Sequence, residues 1–172
     1  MATILRVFAG VDPAYAKPCA WATCSEDDEG YETWEWGITE GPPGYSAAFK
    51  VGAVLYQLLN RVYDVGAIAI ESPYPSRAAP GLHRIGGAIA GILYSEGAEI
   101  LYPIAHQWRA VVLADLRRKK GLDKQRKLGP KWKQLAIEYA SELVGQKVEN
   151  DDEAEAICLA QYARMVTDAD GS

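Results

Sequence analysis

Two apolar runs, each closed by an acid, constrain this chain more than any other feature. Residues 3–11 (Thr-Ile-Leu-Arg-Val-Phe-Ala-Gly-Val) read as a buried strand ending at Asp12-Pro13. Residues 67–70 (Ala-Ile-Ala-Ile) read as a shorter strand covered on both faces and ending at Glu71. Such strands belong in a sheet flanked by helices. Residues 19–24 and 31–38 alternate as strands and form an antiparallel meander with the first run, with a turn over the acidic stretch 26–30. A helix from Ser46 to Tyr63 follows, its stripe being Val51, Val54, Leu55, Leu58, Leu59 and Val62. Beyond Glu71 come a Gly/Ala-rich helix (82–95), a short strand (98–102), a basic helix-and-loop region (103–129) and two helices (131–144 and 151–167). The expected fold is therefore α/β: a five-stranded mixed sheet, antiparallel meander plus parallel strands, flanked by helices as one domain over residues 1–172.

Strand ends in such sheets are where ligand sites form. The last helix adds Asp152 and Glu155, spaced i, i+3 on one face that continues through Leu159, Tyr162, Ala163 and Val166. Singly, each acid also suits a bland role. Asp12 before Pro13 fits a turn, Glu71 could reach solvent, and the helix acids complement a helix dipole with Asn150 or Asp151 as cap. Jointly, three elements bring acids to the edge of one core without a counter-ion, which is costly unless they bind cations. All-oxygen ligation selects Mg²⁺ or Mn²⁺, and the two histidines, His83 and His106, with three cysteines in no C-x-x-C pair leave little for zinc. Two such ions about 3.5–4 Å apart clamp a phosphodiester for in-line attack by water.

Charge is segregated along the chain. Residues 106–135 hold 10 basic and 2 acidic side chains, although the whole chain has 18 basic against 23 acidic. The patch consists of Arg109, Arg117, Arg118, Lys119, Lys120, Lys124, Arg126, Lys127, Lys131 and Lys133. With Gly121, Gly129 and Pro130 it reads as a mobile, exposed segment, suited either to a phosphate backbone or to simple solvation. The odd number of cysteines fits a reducing compartment. The N-terminal sequence lacks signal-peptide character, and no apolar run is long enough to span a bilayer, so a cytoplasmic protein is expected.

The constellation resembles the RuvC-type Holliday junction resolvases of the RNase H-like superfamily over nearly the whole chain. The residues that carry the likeness are Gly10-Val11-Asp12-Pro13 with Cys19-Ala20-Trp21-Ala22, then Ala67 to Glu71, the Gly-rich stretch Arg84 to Gly91, and Asp152 to Ala160. The resemblance implies a homodimeric endodeoxyribonuclease that nicks four-way DNA junctions symmetrically with two Mg²⁺ (or Mn²⁺). Asp12 would bridge the metals, Glu71 would ligate one, and Asp152 and Glu155 would complete the site. Lys131 or Lys133 would stabilise charge at the scissile phosphate, and Arg109 matches a second basic position. Tyr74 would be an aromatic wedge at the junction centre, with Arg77 on the same loop facing DNA. The helix over 82–95 would form the dimer contact. Trp108 and Trp132 read as core or as shields of the DNA groove.

Departures from the family are Glu155, where Asp is usual, an extra acid at Asp151, and positive charge confined to one stretch; together they suggest a phage-encoded branch. Asp152 is the better ligand than Asp151 because it gives the i, i+3 pair. Two other readings remain. One is an RNase H-type or general nuclease acting on hybrids, branched or linear nucleic acid; the other is a non-catalytic binding module on the same fold.

Overall fold

The computed structural model describes residues 4–14, 17–39, 46–59, 65–73, 79–125 and 128–170. Tyr74, Arg77, Arg126 and Lys127 lie outside the described residues. Strands β1 (Ile4–Asp12), β2 (Ala20–Asp27) and β3 (Glu32–Ile38) form the antiparallel meander, followed by helix α1 (Ala47–Leu59) and strand β4 (Val65–Ile70). Helix α2 (Ala79–Ser95) then leads to β5 (Glu99–Leu101), and helices α3 (Ala105–Val112), α4 (Ala114–Lys119), α5 (Lys131–Val144) and α6 (Asp151–Asp170) close the chain. The sheet order is β3-β2-β1-β4-β5, with β1 at the centre, antiparallel to β2 and parallel to β4.

Strand alternation sorts the core into two halves. Val7, Ala9 and Val11 of β1 and Ile68 and Ile70 of β4 pack with α1 and α2. Phe8 of β1, Ala20 and Ala22 of β2, and Ala67 and Ala69 of β4 pack instead against the other four helices. Helix α6 lies across this second face and also packs on α5 and α3. Residues 154–160 are consequently buried all round the helix, not along one stripe as expected.

Two local expectations are corrected. Strand β2 continues through Glu26 and Asp27, where a turn was expected, and Glu26 pairs in register with Glu32. Their like charges are tolerated because Arg164 reaches Glu32 (2.6 Å) and Arg6 reaches Glu26 (3.1 Å). The basic stretch is not a loose loop either. Trp108, Val112, Leu113, Leu116 and Leu128 recur between its cations and are buried, so α3, α4 and the following turn are anchored to the core. Gly121 and Gly129 adopt positive φ (66° and 50°) in the turns that end α4 and precede α5. Among the described residues no helix is long and apolar enough to cross a membrane.

Candidate active site

Parity decides where the strand acids point. Asp12 is in phase with Phe8 and Gly10, and Glu71 with Ala67 and Ala69, so both belong to the face covered by α6. The Glu71 amide donates to the Val11 carbonyl (3.0 Å), which holds the two strand ends side by side.

Gly10 brings the helix acids to them. A Cβ at this position would lie 2.1 Å from the Ala156 carbonyl oxygen, 2.4 Å from the Ala160 nitrogen and 2.8 Å from the Leu159 Cβ. Only glycine lets the α6 backbone lie on β1 at this point, with Ala156 and Ala160 of the helix facing alanines of the sheet. The first turn of α6 then reaches the end of β1. Asn150 caps it, its Oδ1 accepting from the Asp152 amide at 2.8 Å and the Glu153 amide at 3.4 Å. Carboxylate oxygens of Asp12, Asp152 and Glu155 lie within 4.8 Å of one another.

Glu71 stands beside this trio. Its Oε2 accepts a hydrogen bond from the Trp108 indole N–H at 2.7 Å. Burial and the charge of Glu155 raise its carboxyl above the usual carboxylate range, against the lowering effect of the Trp108 bond. Asp12 is raised well above that range, first by desolvation and then by Glu71, Glu155 and Asp152. The acids therefore press on one another, as groups assembled for a cation do.

Counter-ions are present, contrary to the expectation from sequence. Lys17 Nζ donates to Asp152 Oδ1, and Arg109 donates to Glu155 Oε1 at 2.7 Å. Four carboxyl groups face these two cations, so the cluster is not neutralised once all of them ionise. Asp151 is drawn aside by Lys133, which holds its carboxyl below the usual range. A set of hard oxygen donors, crowded and underneutralised, fits a divalent cation such as Mg²⁺ or Mn²⁺.

The basic residues divide into two groups. Arg109 lies over the rings of Trp108 (5.0 Å) and Trp132 (5.7 Å), and Arg117 over Trp132 (4.9 Å), with its Nη2 towards the carbonyls of Leu122, Asp123 and Gln125. Arg118, Lys119, Lys120, Lys124, Lys131 and Lys133 are exposed. Of these, Arg118 pairs with Asp115, Lys120 with Glu138 (2.8 Å) and Lys133 with Asp151.

Sequence reasoning overlooked Lys17 and the link from Trp108 to Glu71. Lys17 is a single cation in a proline-flanked loop, and only the loop's path puts it on Asp152. Trp108 reads as core and is fully buried, but its one polar atom serves the site.

No family model and no curated protein matches the chain by sequence. Solved structures do match by shape. Thermus thermophilus RuvC superposes with a TM-score of 0.65 at 18% identity, over 94% of this chain and 97% of that one. T. thermophilus RuvC in complex with its Holliday junction substrate gives 0.64 at 15% identity, over 98% and 97%. Over nearly its whole described length, this chain has the RuvC fold.

Proposed function

We propose that this protein is a structure-selective endodeoxyribonuclease that resolves four-way DNA junctions by metal-assisted phosphodiester hydrolysis, as one nuclease domain over residues 1–172. The observation that carries the reading is the meeting of Asp12, Asp152 and Glu155, with Glu71 alongside, at the strand ends of a RuvC fold. The solved relative on a Holliday junction supplies the substrate class.

Asp12, Asp152 and Glu155 would hold the divalent ions, with Glu71 completing the set. Two bound ions would polarise the scissile phosphate and lower the pKa of an attacking water. Trp108 aims Glu71 and favours its ionised form by donating to Oε2, and Arg109 fixes Oε1 of Glu155. Lys131 and Lys133, in the first turn of α5, would oppose the charge that develops on the phosphate. The exposed cations Arg118, Lys119, Lys120 and Lys124 would track the DNA backbone, together with Arg126 and Lys127 of the same sequence stretch. Arg109 and Arg117 would support that surface from beneath. Tyr74 and Arg77 follow Glu71 and would meet the junction centre.

Two symmetric cuts call for a homodimer. The outer face of α2 presents Arg84, Gly87, Ala88, Gly91, Ile92 and Ser95, and a Cβ added at Gly87 or Gly91 meets no atom within 4 Å. That face is open to a second copy. A junction substrate would call for a cytoplasmic protein, in a bacterial host for a phage-encoded branch.

The test is incubation with labelled four-way, three-way and linear DNA, with and without Mg²⁺, mapping every nick. Paired symmetric nicks on the four-way junction, only with metal, are expected. Equal cutting of linear DNA or of RNA–DNA hybrid would point to the RNase H-type reading, and salt-sensitive binding without cleavage to a binding module.

A further inference from the structure

Lys17 contributes to no core. Its side chain is 52% exposed, while the Asp152 carboxylate that it grips is only 14% exposed. An exposed lysine at a loop would ordinarily be a solvated charge, but the backbone beneath this one is fixed. Lys50, buried on α1, donates from Nζ to the Lys17 carbonyl at 2.6 Å and to the Ala14 carbonyl at 3.1 Å. At the loop's far end the Cys19 amide donates to Thr39 Oγ1 (3.0 Å), and the Thr39 amide to the Cys19 carbonyl (2.8 Å). Both ends of the β1–β2 connection are thus tied, and Lys17 is delivered to the acids by the fold.

Its ammonium occupies an oxygen of the carboxylate that stands within 4.8 Å of Asp12 and Glu155. A divalent cation held by those three groups would meet a like charge a few Å away. Arg109 differs, because its guanidinium is held beside two indole rings and its side chain is only 20% exposed. Lys17 alone of the pair is free to withdraw into water.

We infer that Lys17 is an internal competitor of the divalent cation at Asp152, a positioning residue that offsets the charge of the acid cluster and is displaced when the metal loads. This rests on the metal-site reading above.

The experiment measures Mn²⁺ affinity of the DNA-free protein by the EPR signal of free Mn²⁺. Lys17→Met should bind Mn²⁺ about two- to five-fold more tightly than wild type, the range expected for removing one partly exposed ion pair. Lys17→Arg should stay near wild type. Lys147→Met removes an equal charge from an exposed pair with Glu149, outside the acid cluster, and should change nothing. In an Asp152→Asn background the gain from Lys17→Met should vanish. A Lys17→Met protein that binds no more tightly than Lys147→Met, or a gain that persists without the Asp152 charge, overturns the inference while leaving the metal site intact. Equal Mn²⁺ binding by wild type and Asp12→Asn would instead overturn the metal site, and the role of Lys17 with it.

Discussion

The two faces of the sheet are built on opposite rules. Towards α1 and α2 the strands present Val7, Val11, Ile68 and Ile70, answered by Val54, Leu58, Ile85, Ile89 and Leu93. Towards α6 they present Gly10, Ala20, Ala22, Ala67 and Ala69 beside Phe8, answered by Ala154, Ala156, Ala160 and Ala163. The first face maximises buried apolar area; the second gives up area for a short distance between backbones. Asp12 and Glu71 stand where that second face ends. A close-packed helix delivers its first turn to the strand tips with little slack, which preorganised ligands require. Stability and chemistry are thereby assigned to different sides of one sheet.

The sharpest way to break this contrast is Gly10→Ala. One methyl would stand 2.1 Å from a backbone oxygen of α6, and backbone cannot swing aside as a side chain can. A loss of about 1–3 kcal/mol or more is expected from overpacking, with Mn²⁺ binding and cleavage lost together. Chemical denaturation followed by Mn²⁺ titration checks it. A variant of wild-type stability that still binds metal would show that the approach of α6 is not what assembles the site.

Much of this layout was legible in the chain. An all-apolar Ala-Ile-Ala-Ile run reads as an inner strand, and an acid directly after it then stands at the strand's end; the i, i+3 pair on the last helix follows from helical geometry. Gly10 was readable as part of a motif, but its reason, a helix backbone passing over it, is a tertiary fact. The basic stretch was misread as mobile because ten cations outweigh a few leucines to the eye, whereas Trp108, Leu113 and Leu116 decide its packing. Lys17 and Lys50 were illegible for the same reason: isolated lysines acquire meaning only from the carbonyls and carboxylates that a loop brings to them.

Asp12→Asn takes the charge from the end of the small-residue face without changing its shape. Cleavage should be abolished and junction binding retained or tightened. Without metal the variant should be more stable than wild type at neutral pH. The folded chain holds the Asp12 proton well above the usual carboxylate range, so between the unfolded and folded pKa values the native state binds more protons. Stability of the wild type therefore falls as pH rises through that window, and the variant should lack this fall. Thermal unfolding from pH 4 to 8, in chelator, measures both slopes; identical slopes would contradict the crowding of these acids.

Trp108 is the one large side chain that the small-residue face devotes to an acid. Trp108→Phe keeps most of the ring and removes the donor, leaving a desolvated Glu71 oxygen unpaired at a cost of about 1–3 kcal/mol. The lost hydrogen bond was lowering the Glu71 pKa, so ionisation would need a higher pH. The acid limb of the metal-dependent rate should move upwards in pH, a shift that simple loosening of the core would not produce.

Gly52→Ala closes the comparison from the other side. Gly52 sits within α1, on the aliphatic half of the protein, and an added Cβ meets no atom within 4 Å. The same substitution that breaks β1 should here help. Glycine inside a helix costs backbone entropy that alanine does not, so a gain of about 0.5–1 kcal/mol is expected. For a chain of 172 residues that is a rise in Tm of roughly 1–4 °C. Metal affinity should not change, because exposed Gly52 stands two residues along α1 from buried Lys50, whose Nζ holds the Lys17 and Ala14 carbonyls, and a methyl there leaves that anchor in place. A loss of stability would mean that α1 is as tightly seated as α6, and the two faces would no longer differ in kind.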